Sequence, residues 1–226
     1  WNIDTLVANE LMNPSFRAKI DIFDEYAYLV LRFPVNHKTT RSKTKKNSEE
    51  IDFIIGKHLL ITVHYDTIYA LHEFEKKFKE SVENAGTLFY SILKELYGAL
   101  DYHLDLINER INKAENKIFE GKERKMVEEL SQINRDLIDF HRDTFPHKDI
   151  LANFEIPAKN FFGENFKHFF RSLNNDANKV QNALKNSEQI LRELRKTNDS
   201  LLTTKNNETM RHLTMMAFVT FPLTLF

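Results

Sequence analysis

The feature that most constrains this chain is its last third. Between Pro157 and Pro222 there is no proline, and after Gly163 there is no glycine. Within that stretch Leu173, Val180, Ser187, Leu194 and Leu201 sit seven residues apart, and Ala177, Leu184, Leu191 and Asn198 form a second row displaced by four. Two such rows make the seam of a coiled-coil-like helix. One helix from about Asn165 to the last residue would be on the order of 90 Å long at 1.5 Å per residue. A helix of that length needs a covering: earlier helices of the same chain, copies of itself, or lipid.

The first third reads differently. "AKIDIF" and "YAYLVLRF" are β-branched and aromatic runs separated by Asp24 and Glu25, and "EEIDFII" and "HLLITVHY" flank Gly56-Lys57, a connection that closes a hairpin. Four strands are therefore expected in an N-terminal mixed sheet. The run "KTTRSKTKKN" (38–47) carries five basic residues and no acid. It reads as a hairpin tip, with a polyanion site as the alternative.

From Asp66 the period becomes helical. Leu71, Phe74, Phe78 and Val82 recur at three and four, with Gly86 read as the end of that helix. Phe89, Leu93, Leu96, Leu100, Leu104, Ile107, Ile111 and Ile118 then trace one stripe up to Gly121, and Met126, Leu130, Ile133, Leu137 and Phe140 trace another up to Pro146. Two amphipathic helices joined around "EGKE" make an antiparallel hairpin. The fold class expected is α+β or α/β: a sheet with helices packed on it, a helical hairpin, then a very long stalk helix. The divisions expected are 1–157, 158–212 and 213–226.

Leu213 to Phe226 are fourteen uncharged residues, where a membrane span needs roughly twenty. Alone, such a run is more often a buried core helix. Lys205, Arg211 and His212 just ahead of it are what the positive-inside rule expects of the cytoplasmic flank of a membrane helix. The expectation is a membrane helix of which the chain carries the start. Other classes find little support. A net charge of −1 gives no global argument for nucleic acid, and the lack of cysteine excludes disulfides, thiolate catalysis and cysteine-ligated zinc. No glycine-rich phosphate loop or catalytic serine or carboxylate context appears, so an enzyme is not expected. The N-terminus does not read as a signal peptide. His141 and His147, separated by Pro146, make a poor metal pair.

The terminal "NNETMRHLTMMAFVTFPLTLF" resembles the start of the first transmembrane helix of the CorA family of divalent-cation channels and transporters. That family's pattern is N-E-x-M-x-x-L-T, an apolar stretch and P-L-T, followed by a Gly-Met-Asn signature. Asn207, Glu208, Met210, Leu213, Thr214, Pro222, Leu223 and Thr224 stand at matching spacings. "FDEYAYLVLRFP", "IDFIIGKHLLITVHYD" and "LFYSILKELYGALDYHLDLINERI" resemble the family's strands and central helix. The resemblance implies a cytoplasmic α/β domain on a stalk, a homopentamer in the inner (plasma) membrane, contact with lipid, and conduction of Mg2+, with Co2+ or Ni2+ as further ions. It also implies that the heptad rows pack against neighbouring subunits.

If the helix lines a pore, Thr203, Asn207, Thr214, Ala217 and Thr224 lie on the axial stripe, while Met210, Leu213 and Phe221 form apolar rings that close it by dewetting. Ordinary packing is the alternative role for those three. Magnesium dehydrates reluctantly, so rings of amides and hydroxyls would contact its water. Where characterised members carry a regulatory carboxylate, this chain has Ser172, with Asp176 one turn on. A second stalk position that is acidic in some members is Lys196. Asp176 and Asp199 are the carboxylates offered to a metal, and Zn2+ is the alternative ion. A soluble coiled-coil scaffold is the alternative function.

Overall fold

The computed structural model describes residues 3–15, 17–34, 48–66, 68–77 and 84–223, with the side chains of 222 and 223 excepted. The basic run 38–47, Phe78, Val82 and Thr224 lie outside the described residues. In chain order the elements are α1 (Thr5–Glu10), β1 (Lys19–Ile22), β2 (Tyr26–Pro34), β3 (Ser48–Gly56) and β4 (Leu59–His64). They continue with α2 (Tyr69–Lys77), α3 (Ala85–Phe119), α4 (Glu123–Thr144), α5 (His147–Phe162), a 3₁₀ turn (Glu164–Phe166) and α6 (Lys167–Leu223).

All four strands pair in sequence order, and every pairing is antiparallel. The sheet expected to be mixed is thus an antiparallel meander, each strand running back along the one before it. The β3–β4 turn is Lys57-His58. Gly56 is the last strand residue, opposite Leu59. β2 is buried almost from end to end because both sheet faces are covered. On one face Tyr26, Tyr28, Val30 and Ile54 pack with Val7 of α1. On the other, Phe53 meets Phe89 edge-on at 5.2 Å, and the ring chain continues through Phe154 to Phe170. Each of these buried rings contributes roughly 2–3 kcal/mol of burial free energy.

Two features differ from expectation. Gly86 does not end a helix; it lies in the first turn of α3, where a Cβ would come within 2.8 Å of the Phe162 and Phe166 rings. A close approach of rings, not chain reversal, requires that glycine. Pro146 separates α4 from α5 as expected, and Pro157 lies buried inside α5. Helix α1, too short to show a period, was not expected; Asp4 caps it by accepting from the Leu6 amide at 2.8 Å. Gly121 does close the α3–α4 hairpin, with a φ of 85° that L side chains disfavour.

The chain forms two compact units, residues 1–106 with 137–185 and residues 107–136 with 186–226. The first holds the sheet, α1, α2, α5 and the adjoining parts of α3, α4 and α6. There α3 and α6 are tied by Tyr90 OH to Ser172 Oγ at 3.2 Å, Lys94 to Asp176 at 2.6 Å and Lys179 to Asp101 at 2.5 Å. The second unit holds the hairpin tip and the rest of α6. Its core includes Ile111, Ile118, Leu130, Ile133 and Leu191. Ser187 donates to Asn108 Oδ1 at 2.7 Å, and Arg110 on α3 joins Glu129 and Asp136 on α4.

Every heptad residue from Leu173 to Asn198 is buried within the chain itself, and Leu201 is half-buried. This corrects the expectation that the rows meet neighbouring subunits. A seam's period specifies that it is covered, not by which helix, and here its own chain covers it.

Candidate functional site

Beyond Leu202 the surroundings of α6 change. Every described position from Thr203 to Phe221 is exposed, including Phe218 at 77% and Phe221 at 71%. No helix among the described residues is long and apolar enough to cross a membrane. Thr203, Asn207, Met210, Thr214, Ala217 and Phe221 share one stripe at α-helical spacing, bordered by Leu213.

One side of this helix is occupied. Lys205 donates to Glu123 at 2.7 Å and reaches the Gly121 carbonyl, while Asn206 accepts from Arg124 at 3.3 Å. The hydrogen bond from Lys205 holds the Glu123 carboxyl below the usual carboxylate range. The hairpin-facing side, centred on Leu202, Lys205, Asn206 and Thr209, lies about 110° around the helix from the stripe. The stripe therefore lies on a side that this chain's own hairpin leaves free, as does the side of Glu208.

Its polar groups have a definite sense. Thr203 Oγ1 donates to the Asp199 carbonyl and Thr214 Oγ1 to the Met210 carbonyl, both at 2.9 Å. With each hydroxyl hydrogen turned to the backbone, the oxygen lone pairs face outward as acceptors. Water bound to a cation donates its hydrogens outward, so these oxygens match its polarity. Met210, Leu213 and Phe221 add apolar side chains to the same side or its border.

The carboxylates offered to a metal are placed differently. Asp176 is held by Lys94, and Ser172 faces Tyr90. Asp199 is exposed, whereas Lys196 pairs with Glu193. His141 stacks near Phe145. His147 uses both ring nitrogens, Nε2 donating to the Arg32 carbonyl at 2.9 Å and Nδ1 facing Tyr97 OH at 3.2 Å. Burial lowers its pKa to about 4, so it is neutral. Among the described residues no three His, Asp or Glu side chains are gathered as metal ligands.

A polar group on the sheet was not found from the sequence. Asp52 is almost fully buried, accepting from Tyr28 OH at 3.1 Å and Tyr65 OH at 3.3 Å. Burial, then the Glu50 charge, raises its pKa to about 6. The available signal was an acid at an interior position of an otherwise apolar strand. Nearby, Arg32 approaches the buried Asp143 at 3.6 Å.

Residues 1–226 match the family described as CorA-like Mg2+ transporter protein. The cobalt/magnesium transport protein CorA of Thermotoga maritima is 21% identical over 230 residues, covering 99% of this chain and 64% of that protein. The chain spans under two thirds of the length of the curated relatives it matches. In fold, it is similar to the full-length CmaX protein, with a TM-score of 0.85 at 16% identity, covering 99% of this chain and 69% of the other. The ZntB cytoplasmic domain from Vibrio parahaemolyticus gives a TM-score of 0.75 at 14% identity, with 90% and 80% covered.

Proposed function

The chain belongs to the CorA-like Mg2+ transporter family, and from that premise we propose that it is the cytoplasmic part, with the start of the first membrane helix, of a homopentameric divalent-cation channel. Helix α6 lines the pore. The observation that carries this reading is the free stripe: outward-facing threonine oxygens and Asn207 alternate with Met210, Leu213 and Phe221 on a side that the chain's own hairpin leaves open.

Five copies of the stripe would ring the axis with acceptors at Thr203, Asn207 and Thr214, and with Thr224 beyond the described residues. Such rings suit a cation that keeps its water, as Mg2+ does. Between them, apolar rings at Met210, Leu213 and Phe221 would stop conduction by excluding water. Asp199, the exposed carboxylate at the lower end of the stripe, would concentrate cations at the mouth. Asp176 would serve a regulatory ion only on release from Lys94.

The test is cation uptake by vesicles carrying the whole gene product, read with an indicator dye. Wild type is expected to admit Mg2+, and Met210→Ser with Leu213→Ser to admit it several-fold faster because a polar ring stays wet. A wild type admitting none of Mg2+, Co2+, Ni2+ and Zn2+ ends the proposal. Serine at 172, where a carboxylate was expected, favours a second reading in which Zn2+ is the cargo; faster Zn2+ than Mg2+ uptake would select it.

A further inference from the structure

The tip of the α3–α4 hairpin and the segment of α6 beside it enclose an open recess of about 460 Å³. Its charged lining is Lys122, Arg124, Lys125 and Lys205 against one carboxylate, Glu123. Lys205 neutralises Glu123, and Lys122 pairs with Glu120. Arg124 contacts only the neutral Asn206 amide, and neither it nor Lys125 has an acidic partner among the described residues. Cationic charge thus remains uncompensated in a concave site of a chain whose net charge is −1.

The position of the recess along α6 indicates what fills it. Its helix residues run from Leu202 to Thr209, and the uncharged run begins at Leu213. At 1.5 Å per residue, Thr209 stands about 6 Å and Lys205 about 12 Å before that run. The headgroup layer on each side of a bilayer is roughly 5–7 Å deep, and long cationic side chains bridge the remaining distance. Arginine suits a phosphate through its planar fork, and lysine as a point charge.

We propose that this recess binds the phosphate of an anionic lipid headgroup in the leaflet that α6 enters, held by Arg124 and Lys125 with Lys122 at the rim. The inference rests on the membrane insertion of α6 proposed above. It adds a lipid-recognition site built by the hairpin tip, separate from the pore stripe. Bound lipid would tether that tip to the membrane surface.

The experiment is co-flotation of the whole chain with phosphatidylcholine vesicles, with and without phosphatidylglycerol. Phosphatidylglycerol is expected to strengthen wild-type binding. Lys122→Gln, Arg124→Gln and Lys125→Gln together are expected to weaken it on the order of 25-fold, about fivefold for each of the two charges without an acidic partner. All three side chains are exposed, so circular dichroism should be unchanged. A control triple, Lys185→Gln, Arg192→Gln and Arg195→Gln, lies some 27 Å or more before Leu213, beyond a Debye length, and should bind as wild type.

An unchanged first triple, or an equal loss in the control triple, overturns the site. So does displacement by millimolar inorganic phosphate at fixed ionic strength without a phosphatidylglycerol preference, which identifies a free-phosphate pocket. Equal flotation with both vesicle types, insensitive to the first triple, leaves insertion standing and removes the lipid site. Binding only to phosphatidylglycerol vesicles, lost in that triple, keeps the site and counts against insertion.

Discussion

Asp52 is a single residue whose chemistry opposes its place. It sits inside the sheet with Tyr28 and Tyr65 donating to one carboxylate oxygen, Glu50 on the same strand and Glu10 of α1 adding negative charge, and Lys19 of β1 over the Tyr28 ring. Burial outweighs the two hydroxyls, and the pKa rises to about 6. The folded state thus favours the protonated acid. Its contribution to stability is full below the ordinary aspartate value near 4 and is lost as pH rises through about 6. Asp52→Asn keeps an acceptor for both tyrosines and removes the buried charge. It is expected to stabilise the protein at pH 7.5 by about 2 kcal/mol, a Tm increase of several degrees, with the difference gone near pH 4. Melting curves at the two pH values decide it. A variant less stable at pH 7.5 would mean that the ionised carboxylate is itself required.

Among the elements, α6 shows most clearly what a sequence discloses. Its length and buried positions are legible because period and the absence of breakers are local properties. The four strands are legible for the same reason. What covers the seam is a tertiary fact: the two rows fit a neighbouring subunit or the chain's own hairpin equally well, and the hairpin has it. Gly86 misleads because its role is set by two rings some eighty residues away. The free stripe follows from α-helical spacing, whereas the recess needs residues about eighty apart brought together. Asn198 tests the seam directly. It is buried in a core row with neither amide atom hydrogen-bonded among the described residues, an arrangement that fixes register at a cost in stability. Asn198→Leu should therefore stabilise the second unit by about 1–2 kcal/mol, seen as slower hydrogen exchange in α6 near residue 198. Faster exchange there would show that the amide has a partner the fold needs.

At the scale of the molecule, the proposed assembly asks which side of α6 would meet other copies. Up to Asn198 its inward rows are filled by its own chain, so the heptad pattern carries no information about assembly. Beyond Leu202 one side faces the hairpin tip and the stripe through Thr203, Asn207, Met210 and Thr214 is free. A shared axis therefore makes a rotational prediction. The chain contains no cysteine, so a single introduced thiol reports without background. A disulfide needs Cα atoms within about 7 Å, a separation that only the narrowest part of a pore provides. Met210→Cys, in the proposed gate, should cross-link copies in membranes on mild oxidation and yield covalent dimers, because each chain offers a single thiol and one disulfide consumes two. Glu208→Cys, about 160° around the helix, should stay monomeric under the same treatment. Met210→Cys without cross-links, or equal dimer yields from both positions, would remove the stripe from the axis and with it the conduction path, while the buried seam and the sheet would stand unchanged.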